Sequence, residues 1–470
     1  MLFNSIDFFL FIPIVFILYW FVVYKSLKLQ NLLLLISSYV FYGWWDYRFL
    51  SLIALSTIVD YFIGQKVYTS TNKSTQKQWI WVSVVFNIGL LGFFKYYNFF
   101  VDSWVNMLGS FGYAAESSWT LKVILPVGIS FYTFQTLSYS IDIYRKKITP
   151  TKDFIAFAAF VSFFPQLVAG PIERASNLVP QFLENRKFTY TTISYGIKLM
   201  IWGFFLKIVV ADRAGIYVDA VYNNVENHDG LSFIMATVLF AFQIYGDFAG
   251  YSLIAIGTAK LFGFNLMTNF RRPYFAASVS EFWTRWHISL STWFRDYVYI
   301  PLGGNRVGKS RWLINLFITF LISGLWHGAN WTFVVWGALN GIYLILEVLL
   351  FTKKRKGILN VFLTFVLINF AWIFFRASSV ENALYIVKEI FTNPGNIYIG
   401  MGDDITAPIY ATLAIGMLFL IEAKKEYFNA LFSISKNKNE FVRLIGYAII
   451  VFLILYVGVF GESQFIYFQF

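Results

Sequence analysis

Glu281-Phe-Trp-Thr-Arg-Trp-His287-Ile-Ser-Leu-Ser-Thr-Trp-Phe-Arg295-Asp296-Tyr-Val-Tyr-Ile-Pro-Leu-Gly-Gly-Asn305-Arg306, followed by Gly324-Leu-Trp-His327-Gly-Ala-Asn330-Trp331, holds two of the three histidines of this chain. The first mixes charge with tryptophan, phenylalanine and tyrosine, the second holds its histidine between two tryptophans, and the sequence around them is largely hydrocarbon. Of the 470 residues, 58% are hydrophobic and 13% charged, against roughly 25% charged in soluble domains. In such surroundings an ionisable side chain is costly unless it faces a cavity, a partner or a reaction. The chain therefore reads as an all-α polytopic membrane protein, and the two stretches mark where its chemistry should be sought.

Outward from them, apolar runs long enough to cross a hydrocarbon core of roughly 30 Å recur near 8–24, 30–45, 49–65, 78–97, 119–143, 154–170, 192–211, 232–257, 311–326, 331–351, 357–375, 405–422 and 442–461. Met1-Leu-Phe-Asn-Ser-Ile-Asp7 has no positive leader, and the run after it has no small-residue cleavage site, so it reads as a retained first helix. The net charge of +12 sits in short loops between the runs rather than on one helical face, which sets topology and gives no nucleic-acid surface. One alternation satisfies the basic loops if both termini face outward, with 154–182 re-entrant between two basic loops. That count puts His327 near the outer end of its helix. With no cysteine, disulfides, thiolate metal sites and cysteine nucleophiles are excluded.

No repeat or long linker divides the chain, so residues 1–470 are expected to form a single membrane domain with a motif-bearing core over about 118–352. In that core Gln135, Asp142, Gln166, Glu173, Lys207, Gln243 and Asp247 interrupt apolar runs. Breaks at Pro165, Gly170-Pro171, Gly303-Gly304 and Gly328 imply a central cavity built from short helices, because non-helical backbone at membrane depth needs protein or water over it. Arg271, Arg272, Arg285, Arg295, Arg306 and Lys309 cluster in the first stretch. Guanidinium forks suit phosphate, while the same cations also serve as anchors to lipid headgroups. For His287 and His327 three readings stand side by side: interfacial packing, a metal, or a general base. The spacing of the pair is weak support for a metal; an imidazole can both take and return a proton at neutral pH.

The run from Phe282 to Arg306, with Gly324-Leu-Trp-His-Gly-Ala-Asn-Trp331 and Trp336-Gly-Ala-Leu-Asn-Gly341, resembles the membrane-bound O-acyltransferase (MBOAT) superfamily. Pro301-Leu-Gly-Gly-Asn-Arg306 favours its alginate O-acetyltransferase branch. The likeness extends to Leu2-Phe-Asn-Ser5, Pro126-Val-Gly-Ile-Ser-Phe-Tyr-Thr-Phe-Gln135, Phe164-Pro-Gln-Leu-Val-Ala-Gly-Pro-Ile172 and Tyr245-Gly-Asp-Phe-Ala-Gly-Tyr-Ser252. The resemblance implies an MBOAT fold of about 11–13 transmembrane or re-entrant helices around a central tunnel, with His327 and His287 in catalysis. Many relatives carry histidine where Asn340 stands, so position 340 is left out of the catalytic set. The ending Phe465-Ile-Tyr467-Phe-Gln-Phe470 resembles the Phe-x-Tyr-x-x-Phe tail of a small partner of the D-alanyl transferases, which makes Tyr467 a candidate acyl relay; an aromatic belt is the plainer reading.

Acetyl-CoA would be the acyl donor, held by Arg285, Arg295, Asp296, Arg306, Lys309 and Asn330, with no metal. The implied setting is the inner membrane. An extracytoplasmic SGNH-type partner and an exported polysaccharide, alginate or another cell-envelope glycan, would receive the group. A flippase or transporter of a lipid-linked saccharide is the competing class.

Overall fold

The computed structural model describes residues 1–113, 120–121, 123–167, 170–351, 355–400, 405–428, 439–461 and 465–466, and every regular element among them is helical. Among the described residues eight helical runs are long and apolar enough to cross a membrane: Leu27–Thr69, Lys73–Ser110, Tyr190–Tyr222, Gly230–Leu261, Trp331–Leu350, Ile358–Arg376, Thr406–Tyr427 and Glu440–Val457. Ile6–Val22 and Phe154–Leu167 are shorter apolar helices. The protein is a multi-pass membrane protein. Its contacts divide it into two compact units, Met1–Ile197 with Ala255–Met267, and Lys198–Ile254 with Thr268–Phe470.

The first unit carries α1 (Ile6–Ile17), α2 (Leu27–Asp46), α3 (Leu50–Thr69), α4 (Lys73–Leu91), α5 (Tyr97–Ser110), α6 (Ile129–Tyr144), α7 (Phe154–Ser162), α8 (Phe164–Leu167) and α9 (Ala175–Leu183). Ser5, Ser26, Asn72 and Asp153 begin their helices by accepting a backbone N–H that has no intrahelical partner. At the centre the Asp60 carboxylate of α3 accepts from Ser83 Oγ at 2.5 Å, Ser140 Oγ at 2.8 Å and Asn87 Nδ2 at 2.8 Å. Polar side chains thus join α3, α4 and α6, the kind of glue that helices surrounded by lipid use.

Two expectations change in detail. The run expected over 119–143 becomes helical only at Ile129, because Pro126 and Gly128 break it. Gly128 has φ +74°, and a Cβ there would stand 2.8 Å from the Leu167 carbonyl. Over 154–182 the described residues form three short helices, α7, α8 and α9, with no regular structure at Pro171 and Ile172.

Helices α10 (Tyr190–Phe204) and α12 (Gly230–Leu261) run through both units. The second unit adds α11 (Asp212–Tyr222), α13 (Val279–Arg285), α14 (Ile288–Phe294), α15 (Lys309–His327), α16 (Trp331–Leu350), α17 (Ile358–Arg376), α18 (Val380–Thr392), α19 (Thr406–Tyr427) and α20 (Glu440–Val457). Phe205–Ala211 and Arg295–Tyr299 are π-helical turns, a distortion frequent at functional sites. Glycines 324 and 337 face each other where α15 crosses α16; a Cβ at either would strike the other glycine's backbone at about 3.0 Å. Small residues let the two backbones touch, and this crossing sets the position of His327, three residues beyond Gly324.

Candidate active site

His287 opens α14 in left-handed backbone, φ +40°, a conformation that a non-glycine residue keeps only where its surroundings over-determine it. Those surroundings are Asn269. The Ile288 amide donates to the Asn269 carbonyl at 2.9 Å, and Asn269 Oδ1 accepts from the Ser289 amide at 3.2 Å and from Ser289 Oγ at 2.9 Å. A backbone N–H can only donate, so the Asn269 atom it meets is the oxygen. His287 Nδ1, 3.1 Å from that oxygen, therefore carries the proton, and the ring's lone pair sits on Nε2. Asn269 Nδ2 is in turn fixed by Ser252 Oγ at 3.1 Å. The segment bearing His287 is not one of the eight spanning runs. Burial, and after it the neighbouring His327 imidazole, hold His287 well below the usual imidazole range.

His327 ends α15 and is buried, 4% exposed. Its ring lies edge-on to Trp326 at 5.0 Å, to Trp336 at 5.0 Å and to Phe375 at 5.4 Å. Trp326 is also 6.3 Å from His287, so the two histidines flank one indole. Behind them the rings continue: Trp336 stacks on Trp372 at 5.8 Å, and Trp372 meets Trp286 at 5.2 Å. These contacts bring the two sequence stretches together around one aromatic box. The third histidine, His228, lies elsewhere, 3.3 Å from the Ala220 carbonyl.

Two cavities are lined in part by residues of the motif stretch. The wider, about 1260 Å³, has Lys309, Arg355 and Lys356 in its wall. Its acids are already engaged: Glu347 accepts from the amides of Val279 at 2.9 Å and Ser280 at 3.3 Å, and Glu281 from Ala277 at 2.9 Å and from Arg285 at 2.6 Å. The wall thus carries three cations against two carboxylates, one of which is paired with Arg285. The narrower cavity, about 190 Å³, is lined by Trp283, Leu290, Phe294, Arg295, Phe320 and Ser323, among others. Thr284, Tyr299 and Leu316 belong to the walls of both, so the two cavities are neighbours. Ser323 precedes His327 by one helical turn and shares its face of α15. Trp283 in the narrow wall is 5.6 Å from Trp336.

The other residues expected at the site take several places. Arg285 is clamped by Glu281 at 2.6 Å and by Glu426 of α19 at 2.9 Å, and Glu426 also holds Arg272 at 2.6 Å. Arg285 thus fastens the motif segment to α19. Arg295 pairs with Asp296 at 2.8 Å while lining the narrow cavity. Lys309 lines the wide one, and Arg306 is exposed in the turn before α15. Asn330 caps α16, accepting from the Thr332 amide at 3.0 Å and donating to the Ser378 carbonyl at 3.0 Å. Asn340 donates back to the Trp336 carbonyl at 2.9 Å. Glu426, Glu347 and Asn269 were not foreseen. Glu426→Gln is expected to lower stability by about 1–2 kcal/mol, since hydrogen bonds to charged groups contribute about that much at half-buried sites. A thermal-unfolding midpoint in detergent equal to that of the unaltered protein would show that the clamp carries no weight.

On the far side of His287 the ring of Phe248 stands 4.4 Å away, and Phe465 packs on Phe248 at 5.4 Å and on Tyr251 at 4.7 Å. The Ile466 amide donates to Asp247 at 2.7 Å. Asp247 and Asp212 both pair with Lys207, at 2.7 Å and 2.8 Å. Residues 465 and 466 are therefore seated in the core against Phe248, Tyr251 and Asp247; Tyr467 and residues 468–470 lie outside the described residues.

Comparison with known proteins gives this arrangement a context. Residues 112–380 match the family described as MBOAT, membrane-bound O-acyltransferase. A Pseudomonas putida protein named probable alginate O-acetylase AlgI is 42% identical over 83% of this chain and 80% of its own length. The peptidoglycan O-acetyltransferase of Helicobacter pylori is 36% identical over 83% of this chain and 79% of its own. The teichoic acid D-alanyltransferase of Streptococcus thermophilus is 31% identical over 49% of this chain and 58% of its own. The matched span contains His287, His327, both cavities' motif walls and the aromatic box, and with the extent of these matches the chain belongs to the membrane-bound O-acyltransferase family.

Proposed function

We propose that this enzyme is an O-acetyltransferase of the inner membrane. It takes the acetyl group from cytoplasmic acetyl-CoA and delivers it, through Tyr467 and an extracytoplasmic SGNH-type partner, to an exported polysaccharide. The observation that carries this reading is the adjacency of a larger cavity with cations in its wall and a smaller, largely apolar one whose lining includes Ser323, a helical turn before His327. A phosphorylated nucleotide suits the first and a thin pantetheine arm the second. Lys309, Arg306, Arg355 and Lys356 are the cations available to phosphate, and Arg295 with Asp296 the pair at the narrow part. Asn330 and Arg285 support the site through helix capping and the carboxylate clamp.

In the transfer the C–S bond of the thioester breaks as a phenol oxygen–carbonyl bond forms. A tyrosine hydroxyl with an ordinary pKa of about 10 is a weak nucleophile at neutral pH, so His327 takes the phenolic proton and returns it to the departing thiolate, giving free CoA thiol and an acetyl ester on Tyr467. A hydroxyl of the partner or of the polymer then accepts the acetyl group and the phenol is restored. Dividing the route into two transfers separates the cytoplasmic donor from the outer acceptor. The seating of Phe465 on Phe248, which in turn meets His287, and of the Ile466 amide on Asp247 supports a relay at the next residue. The acetyl preference is supported by the rings closing around His327 and by two relatives named for O-acetyl transfer. Those relatives are named for different polymers, which supports assigning acceptor choice to the partner.

The test is the purified full chain incubated with acetyl-labelled acetyl-CoA. Labelled ester on the Tyr467 peptide by mass spectrometry is expected. Consumption of the thioester with no label on that peptide sinks the relay, and no consumption at all sinks the donor assignment.

A further inference from the structure

The first unit contains a cavity of about 670 Å³ that shares no residue with the two described above. Lys146, Lys147 and Lys152 stand in its wall together with Glu184, and Ile148, Pro150, Val179, Pro180 and Leu183 give it an apolar side. We propose that this cavity is a headgroup site for an anionic phospholipid, with the lysines at the phosphate and the apolar side along the first carbons of the acyl chains. Phosphate chemistry is called for by three cations against one carboxylate in the wall. Lys147 is also 3.5 Å from the buried Asp142, which leaves Lys146 and Lys152 as the lysines whose charge is least compensated.

The loop holding these lysines is built rather than incidental. Gln65 donates to the Thr151 carbonyl at 2.7 Å and Tyr61 to the Lys152 carbonyl at 2.8 Å, so α3 fixes the loop backbone. At the end of α6 the Lys146 amide donates to Ile143 and the Lys147 amide to Asp142, each at 2.9 Å. This is the helix ending in which the first residue past the cap is left-handed and usually glycine. Here that residue is Lys146, at φ +58°. A lysine kept where glycine fits without strain indicates that its side chain is needed at the cavity lip.

The glycine substitution separates the two roles of position 146. Lys146→Gly relieves backbone strain, so the thermal midpoint is expected to hold or rise, while lipid retention falls. The probe is phosphatidylglycerol doped into phosphatidylcholine bilayers, with the full-length chain extracted in mild detergent and weighed by native mass spectrometry. The unaltered protein is expected to keep phosphatidylglycerol in preference to phosphatidylcholine, and Lys146→Gly and Lys152→Gln to lose retention by about fivefold each. Equal retention by the unaltered and doubly substituted chains overturns the proposal. Displacement of the lipid by millimolar inorganic phosphate overturns the lipid assignment in favour of a soluble phosphate; no displacement supports it.

Discussion

His327→Ala is expected to lower acetyl transfer by about a thousandfold, within the range that a positioned acid–base group contributes, while leaving a folded protein. The fold should survive because the rings around the imidazole also hold one another: Trp336 lies 5.2 Å from Phe375, and Phe333 4.9 Å from Phe375. Transfer of label from acetyl-CoA to Tyr467, measured beside thermal unfolding, separates lost chemistry from lost structure. Substantial retained transfer in a folded variant would remove His327 from the mechanism. His287→Ala should reduce transfer too, but with a larger fall in stability, since it strips the Asn269 oxygen of one partner at a strained backbone position.

The second large effect is expected at Lys207. Its ammonium lies between Asp212 and Asp247, at 2.8 Å and 2.7 Å, and its side chain is 1% exposed. Removing one member of a buried charge cluster strands the others, at a cost of about 3–5 kcal/mol. Lys207→Met should therefore deplete folded protein from membranes, while Lys207→Met with Asp247→Asn and Asp212→Asn should recover much of it. Asp247→Asn alone, which keeps a side-chain oxygen for the Ile466 amide, should fold better than Lys207→Met. Equal abundance of all three variants in a membrane-fraction immunoblot would contradict this account.

The fold class was readable from composition and hydropathy, because only helices spare their backbone groups in lipid without closing a barrel. The two histidine stretches were readable because ionisable groups stand out against hydrocarbon. The surroundings of the residues expected to hold the donor were less so, for a physical reason. Arg285 looks like a phosphate ligand until Glu426 is known to face it, and Glu426 lies 141 residues away in the chain; no local spacing encodes that meeting. Asn330 carried its own clue, since asparagine ahead of a helical apolar run is a common cap. Likewise Pro126 and Gly128 announced the late start of α6, though an apolar run passes over them. Asn269, which orients His287, sits 18 residues before it and has no feature in sequence that sets it apart from a loop polar residue.

Where glycines 324 and 337 press backbone on backbone, the walls near His327 have no slack to take up. A relative that evolved to carry a longer acyl chain could not gain room by letting α15 and α16 drift apart, as packed leucines would allow. It would have to trim a ring, with Trp326 and Trp336 the nearest to cut. Chain-length preference in this scaffold should therefore change in steps, one aromatic at a time, and an engineer seeking propionyl or butyryl transfer would start at those two positions.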